Sequence, residues 1–463
     1  MTFTSLSFIL FFAIGLIVNY CLPQKFRWIF LLCASFYFYL NWQPIYAILL
    51  TITIIVTYFA AKLVADNNLT LGKKKLICGT AIIFLIAPLL LFKYYNFLTT
   101  SVEGFLNYIR LSIEIPKMTL LLPLGISFYT FSSIGYIIDC YRNKYDPIKN
   151  IFILALFISF FAHISSGPIP RGNQLIPQLV KPDNISYNNI IKGIHKMVWG
   201  FFMKLCVADR IGIYVDSIYG NIENHNGGSL LLASVLYTIQ IYCDFAGYSL
   251  IAIGAARMLG IKLLENFRRP YFATSMKDFW GRWHISLSTW FRDYLYIPLG
   301  GNRVSKFRKS FNLMTTFLVS GLWHGASWNF IAWGGLHGSS QVAEKYQTKS
   351  SEIKYRWFKI IVVFIFVSFA WVFFRLSTTH SLGLFWSKLF SDFGAPFIDM
   401  VIAYIIIAVT ILFIFDYVAE FKPRVFSKIS SNFWASNILC GLLIAAIALT
   451  GVFGSNSFIY FAF

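Results

Sequence analysis

Charge-free apolar runs recur along the chain: Leu6–Tyr20, Ile45–Ala61, Leu76–Phe92, Leu120–Ile138, Ile360–Phe374 and Val401–Phe415. Most approach the roughly 17–25 apolar residues that a membrane-spanning helix needs, and polar residues at their ends can reach the interface. The pattern predicts about ten to twelve membrane-embedded helices, some of them short or re-entrant. Met1–Leu22 has neither a basic start nor a small-residue cleavage site, so it is expected to be the first helix and not a secretory signal. Between Tyr95 and Lys117 a long loop with room for a short surface helix is expected.

Composition agrees with that pattern. Of 463 residues, 57% are hydrophobic and 13% charged, too much apolar surface in too many separate stretches for a soluble domain. The net charge of +20 does not form one basic face, as nucleic-acid binding would require, but is spread over short loops. Lys25 and Arg27, Lys73 to Lys75, Arg142, Lys144 and Lys149, and Lys422, Arg424 and Lys428 mark loops expected on the cytoplasmic side. The uncharged start, and the end beyond a last helix at about Phe433–Phe453, are then expected outside. Seven scattered cysteines with no C-x-x-C pair read as small hydrophobes, and no metal site is expected. No repeat or low-complexity tract interrupts 1–463, which reads as a single polytopic membrane domain.

Polar residues concentrate in Pro123–Arg171 and Lys204–Gly338, and ionisable groups at membrane depth mark a path or a site. In Ser320-Gly-Leu-Trp-His-Gly-Ala-Ser-Trp-Asn329, His324 is expected inside an apolar helix over about Phe311–Phe330, flanked by Trp323 and Asn329. A neutral imidazole there can take a proton from a hydroxyl and return it to a leaving thiol; a structural histidine bonded to neighbouring backbone accounts for it equally. A second cluster runs from Met276 to Pro298. On a helix it would pair Asp278 with Arg282 and His284 with Ser288, and put Trp283, Leu287, Trp290 and Tyr294 on one face. Such a helix would roof a cavity or lie at the membrane surface. Arg268, Arg269, Arg303, Lys306, Arg308 and Lys309 could meet donor phosphates, or serve topology alone. Asp244, in Tyr242-Cys-Asp-Phe-Ala-Gly-Tyr248, needs a partner or a proton.

In order along the chain, Pro123–Phe131, Ser166-Gly-Pro-Ile-Pro-Arg171, Ala208-Asp-Arg210, Asp244–Tyr248, Asn266-Phe-Arg-Arg-Pro-Tyr271, Asp278–Gly301 with Arg303, Gly321–Gly325 and Trp333–Gly338 resemble the bacterial branch of the membrane-bound O-acyltransferases. The alginate and peptidoglycan O-acetyltransferase types are nearest, with the teichoic acid D-alanyl transferases further away. The matching core covers about 120–340, and Leu250 departs from it, standing where the family pattern carries Asp.

The resemblance implies an all-α integral membrane fold: a ring of tilted transmembrane and re-entrant helices around a central tunnel, in a bacterial inner membrane. It implies that His324 and His284 are the functional histidines, with Asp278, Arg282, Ser288, Arg292, Asp244, Trp323 and Asn329 as substrate-binding or supporting residues. Acetyl-CoA is implied as a substrate entering from the cytoplasm, with no bound cofactor. The tail Phe458-Ile-Tyr-Phe-Ala-Phe463 resembles a motif whose tyrosine carries the acyl group to a secreted partner, an SGNH hydrolase-like acetyltransferase. Tyr460 is thus a candidate relay or an interfacial anchor. A transporter or flippase, or a non-catalytic scaffold for polymer assembly, would also explain intramembrane polar residues, though not the ordered motifs.

Overall fold

A computed structural model describes residues 1–346, 355–376, 378–454 and 458–459. Its secondary structure is 76% helix with no strand among the described residues, the all-α class that the apolar runs require. Among the described residues, six helices are long and apolar enough to cross a bilayer: Tyr46–Ala65, Leu71–Tyr108, Gly227–Met258, Arg356–Arg375, Met400–Phe421 and Phe433–Thr450; Leu6–Cys21 is apolar but shorter.

Two expectations are revised. Helix Leu71–Tyr108 takes in most of the expected loop after Tyr95. Pro88 cannot donate within that helix, and a π-helical turn at Leu90–Tyr94 absorbs the disturbance so that the helix continues. The following non-helical stretch is tied back onto it by Asn96, which pairs with both the N–H and the carbonyl of Met118, and by Glu103, which accepts the Ile115 N–H. Helix Ile126–Tyr141 starts later than the apolar run did, because Gly125 precedes it in the left-handed region at φ 66°. A Cβ at Gly125 would lie 2.0 Å from the Ile164 carbonyl oxygen, so only glycine fits.

The chain divides into two compact units. The first comprises Leu6–Ile190 with Ala255–Leu264; the second comprises Ile191–Gly254 and Glu265–Phe463 with Thr2–Ser5. Helix Gly227–Met258, which belongs to the second unit up to Gly254, has 83% of its most apolar window buried, against 6% for Phe433–Thr450. The apolar side chains that the latter leaves open, among them Ile438, Leu442, Ile444 and Leu449, are a liability in water and a natural lipid face. Helices Lys306–His324 and Trp328–Tyr346 form a tight hairpin. Glycines set its closeness: a Cβ at Gly321 would meet the Phe330 carbonyl oxygen at 2.2 Å, and one at Gly334 the Phe317 carbonyl oxygen at 2.4 Å.

Candidate active site

The segment around His284 is broken rather than one amphipathic helix. Ser275 caps the short helix Met276–Trp280 by accepting the Asp278 N–H, and the Glu344 carboxylate takes the exposed N–H groups of Met276 and Lys277. Helix Ile285–Phe291 then starts from His284, whose φ of 42° and ψ of 55° put a non-glycine residue in the left-handed region. Such a backbone costs of order 1–3 kcal/mol and persists only where its surroundings fix it. Here the backbones of 266–268 and 282–285 bond each other, Arg268 N–H to Arg282 and Ile285 N–H to Asn266, both at 2.9 Å. Trp283, Leu287, Trp290 and Tyr294 are buried as expected, but the break at His284 and the π-helical turn Arg292–Tyr296 keep them from sharing one α-helical face.

Asn266 defines the state of the His284 ring. Its side-chain oxygen accepts the Ser286 N–H at 3.2 Å, the Ser286 hydroxyl at 2.9 Å and His284 Nδ1 at 3.0 Å. A backbone N–H can only donate, so the Asn266 atom is an acceptor and Nδ1 carries the proton. Nε2 is therefore the basic nitrogen. His284 is wholly buried and lies outside the six spanning-length helices, and burial pushes its pKa down to about 3, which keeps the ring neutral.

His324 ends its helix instead of occupying its interior, because Gly325 turns extended at φ −162° and ψ 156°. A Cβ at Gly325 would stand 2.0 Å from the Phe330 ring, so the exit from the helix has room only for glycine. The His324 ring is buried edge-on to Trp323, Trp333 and Phe374, with centroids at 4.9, 5.1 and 5.2 Å. Trp323 also stands edge-on to His284 at 6.0 Å, so one indole touches both histidines.

A cavity of about 1140 Å³ opens beside them. It is lined by Ile285 next to His284 and by Ser320, one turn before His324. Ser288, Arg292, Lys277, Lys309, Lys345 and Lys359 also line it. Of the six basic residues considered for phosphates, Lys309 alone lines this cavity. Arg269 is instead paired with Glu420 at 2.9 Å.

The other candidates divide between the cavity and the framework. Ser288 donates to the Trp283 carbonyl at 3.2 Å, and Arg292 pairs with Asp293 at 2.8 Å at the cavity wall. Asp278 accepts Arg282 Nε at 2.7 Å and the Thr274 N–H at 3.1 Å. Arg282 also donates to Glu420 at 3.0 Å, tying the His284 segment to helix Met400–Phe421. Asn329 is turned away from the cavity and holds the carbonyls of Leu376 and Thr378. Asp244 is buried against Lys204. Tyr460 lies outside the described residues.

Asn266, Glu420, Glu344 and Lys204 carried no role in the sequence reading. Lys204 was the most legible of them, a lone charge in an apolar stretch; partners far apart in the chain, such as Arg282 and Glu420, leave no local signal. Because Glu420 serves Arg269, Arg282 and Arg356 together, Glu420→Gln is expected to lower stability by about 1–3 kcal/mol, read as a fall in the thermal midpoint in lipid nanodiscs. An unchanged midpoint would show that the cluster contributes nothing net.

The two buried histidines share the Trp323 ring, and residues next to each of them, though neither histidine itself, line a cavity with basic side chains on its wall. The chain belongs to the membrane-bound O-acyltransferase family, whose profile matches residues 36–383. It is 36% identical over 398 residues to the probable alginate O-acetylase AlgI of Pseudomonas putida, covering 84% of this chain and 80% of that one. It is 35% identical over 384 residues to the peptidoglycan O-acetyltransferase of Helicobacter pylori, covering 76% and 72%. The teichoic acid D-alanyltransferase of Bacillus subtilis is 30% identical over 323 residues, covering 65% and 78%. The protein is thus an integral membrane O-acyltransferase, as its ordered motifs implied.

Proposed function

We propose that the protein takes an acetyl group from acetyl-CoA on the cytoplasmic side of a bacterial inner membrane and passes it outward for O-acetylation of a cell-surface polysaccharide or peptidoglycan. The observation that carries this reading is the cavity itself, with basic side chains along its wall and Ile285 and Ser320, neighbours of the two histidines, at its inner surface. Lys277, Arg292 and Lys309 suit the phosphates of a nucleotide-bearing thioester. Transferases acting on alginate and peptidoglycan are among its relatives, which supports a polymer as the final acceptor.

In this mechanism His324 accepts the proton of the acceptor hydroxyl, the Tyr460 phenol, as its oxygen attacks the thioester carbonyl. The C–S bond breaks and the CoA thiolate takes the proton back from the imidazolium, leaving free CoA and an acetyl ester on Tyr460. His284, neutral with Nε2 basic, is a second acid-base or positioning group. The ester then passes to the serine of an SGNH hydrolase-like acetyltransferase outside the membrane, with both chain termini on that face.

The test is release of free CoA from acetyl-CoA by the protein in lipid nanodiscs, with mass spectrometry of the chain afterwards. Acetyl on Tyr460 in the wild type, and its absence together with loss of onward transfer in Tyr460→Phe, are expected. No CoA release even with the partner present would overturn acetyl-CoA as the donor.

A further inference from the structure

A buried ion cluster in the second unit has no part in the transfer step. Gly200 and Gly247 bring two helix backbones together there: a Cβ on Gly247 would lie 2.8 Å from the Gly200 carbonyl oxygen, and one on Gly200 2.7 Å from that of Gly247. Just beyond, the π-helical turn Phe202–Ala208 carries Lys204, whose ammonium is sealed between Asp209 at 2.7 Å and Asp244. Two carboxylates share one ammonium, and Lys204 bonds only one oxygen of Asp244. The other, Oδ2, accepts the backbone N–H of Ile459 at 2.8 Å. The neighbouring Phe458 is fully buried against Tyr248 at 4.6 Å and Phe245 at 5.4 Å. Phe245 in turn stands edge-on to the His284 ring at 4.6 Å.

A charge-assisted bond to a backbone N–H, next to an aromatic socket, fixes the register of the chain at that point. We propose that Lys204, Asp209 and Asp244, with Phe245 and Tyr248, form a clamp for the tail of this chain, and that Asp244 and Phe458 are positioning residues for the acyl relay. The clamp holds the residue directly before Tyr460 in the chain, one aromatic ring away from His284. This rests on the relay reading of Tyr460.

The experiment measures amide hydrogen exchange of the tail in the full-length protein in lipid nanodiscs, beside CoA release with acetyl-CoA. Phe458→Ala and Asp244→Asn are expected to speed exchange at Ile459 by about tenfold or more while the rest of the chain keeps its protection. Phe458→Leu should restore most of it. Turnover should fall in Phe458→Ala with KM for acetyl-CoA unchanged, a split that general loosening of the fold would not give. Unaltered tail exchange in both Phe458→Ala and Asp244→Asn overturns the clamp. Normal polymer acetylation by Tyr460→Phe, with the tail still released by Phe458→Ala, removes the relay and leaves the clamp standing.

Discussion

His324→Ala is expected to lower CoA release by about 10²–10⁴-fold, the range that a positioned acid-base group supplies. The ring sits at a helix end, edge-on to Trp323, Trp333 and Phe374, which hold it in one orientation. Removing it also leaves a void, so the variant must first be shown to be monodisperse in nanodiscs with a thermal transition close to the wild type. His324→Gln, nearer in size and unable to cycle a proton, should be as inactive. Wild-type turnover in either variant would mean that the imidazole is only a packing element.

Asn266→Ala carries the second large effect. It removes the acceptor that holds the proton on Nδ1 of His284, and it takes the same acceptor away from the Ser286 N–H and hydroxyl. Partners that orient an imidazole through its far nitrogen are worth about 10–100-fold in activity, and the same drop in kcat is expected here with little change in KM. Asn266→Asp separates orientation from charge. A carboxylate preserves the bond but stabilises the imidazolium, raising the pKa of His284. Where the base form is required, the acid limb of the pH–rate profile then moves to higher pH. A profile that stays in place in Asn266→Asp, with full activity in Asn266→Ala, would rule His284 out of the proton-transfer step.

The helical class and most of the spanning segments were legible because apolar runs such as Ile360–Phe374 and Val401–Phe415 carry their own signal. The boundaries that moved did so for local backbone reasons, Gly125 delaying one helix and a π turn after Pro88 extending another. Trp283, Leu287, Trp290 and Tyr294 are all buried, but Trp283 precedes the break and Tyr294 lies in a π-helical turn, so the single helical face that their spacing predicted does not form. Periodicity could not find the break at His284, because a histidine at positive φ is held there by the pairing with Asn266 and has no signature of its own. Asp278 and Arg282 meet as four-apart helix neighbours would, yet their further partner Glu420 is 138 residues from Arg282, a contact only the folded chain creates.

The last helix has a consequence of a different kind. Phe433–Thr450 has 18 residues and is only 6% buried within the protein over its most apolar window. At about 1.5 Å per residue it spans about 27 Å, slightly less than a hydrocarbon core of about 30 Å. Its end is nonetheless tethered inward, through the Arg210 guanidinium on the Thr450 carbonyl and Val452 N–H on the Leu205 carbonyl at 3.0 Å. Lipid therefore acts as a depth gauge on the segment that leads into the tail: a thicker bilayer pulls on that tether and a thinner one relaxes it.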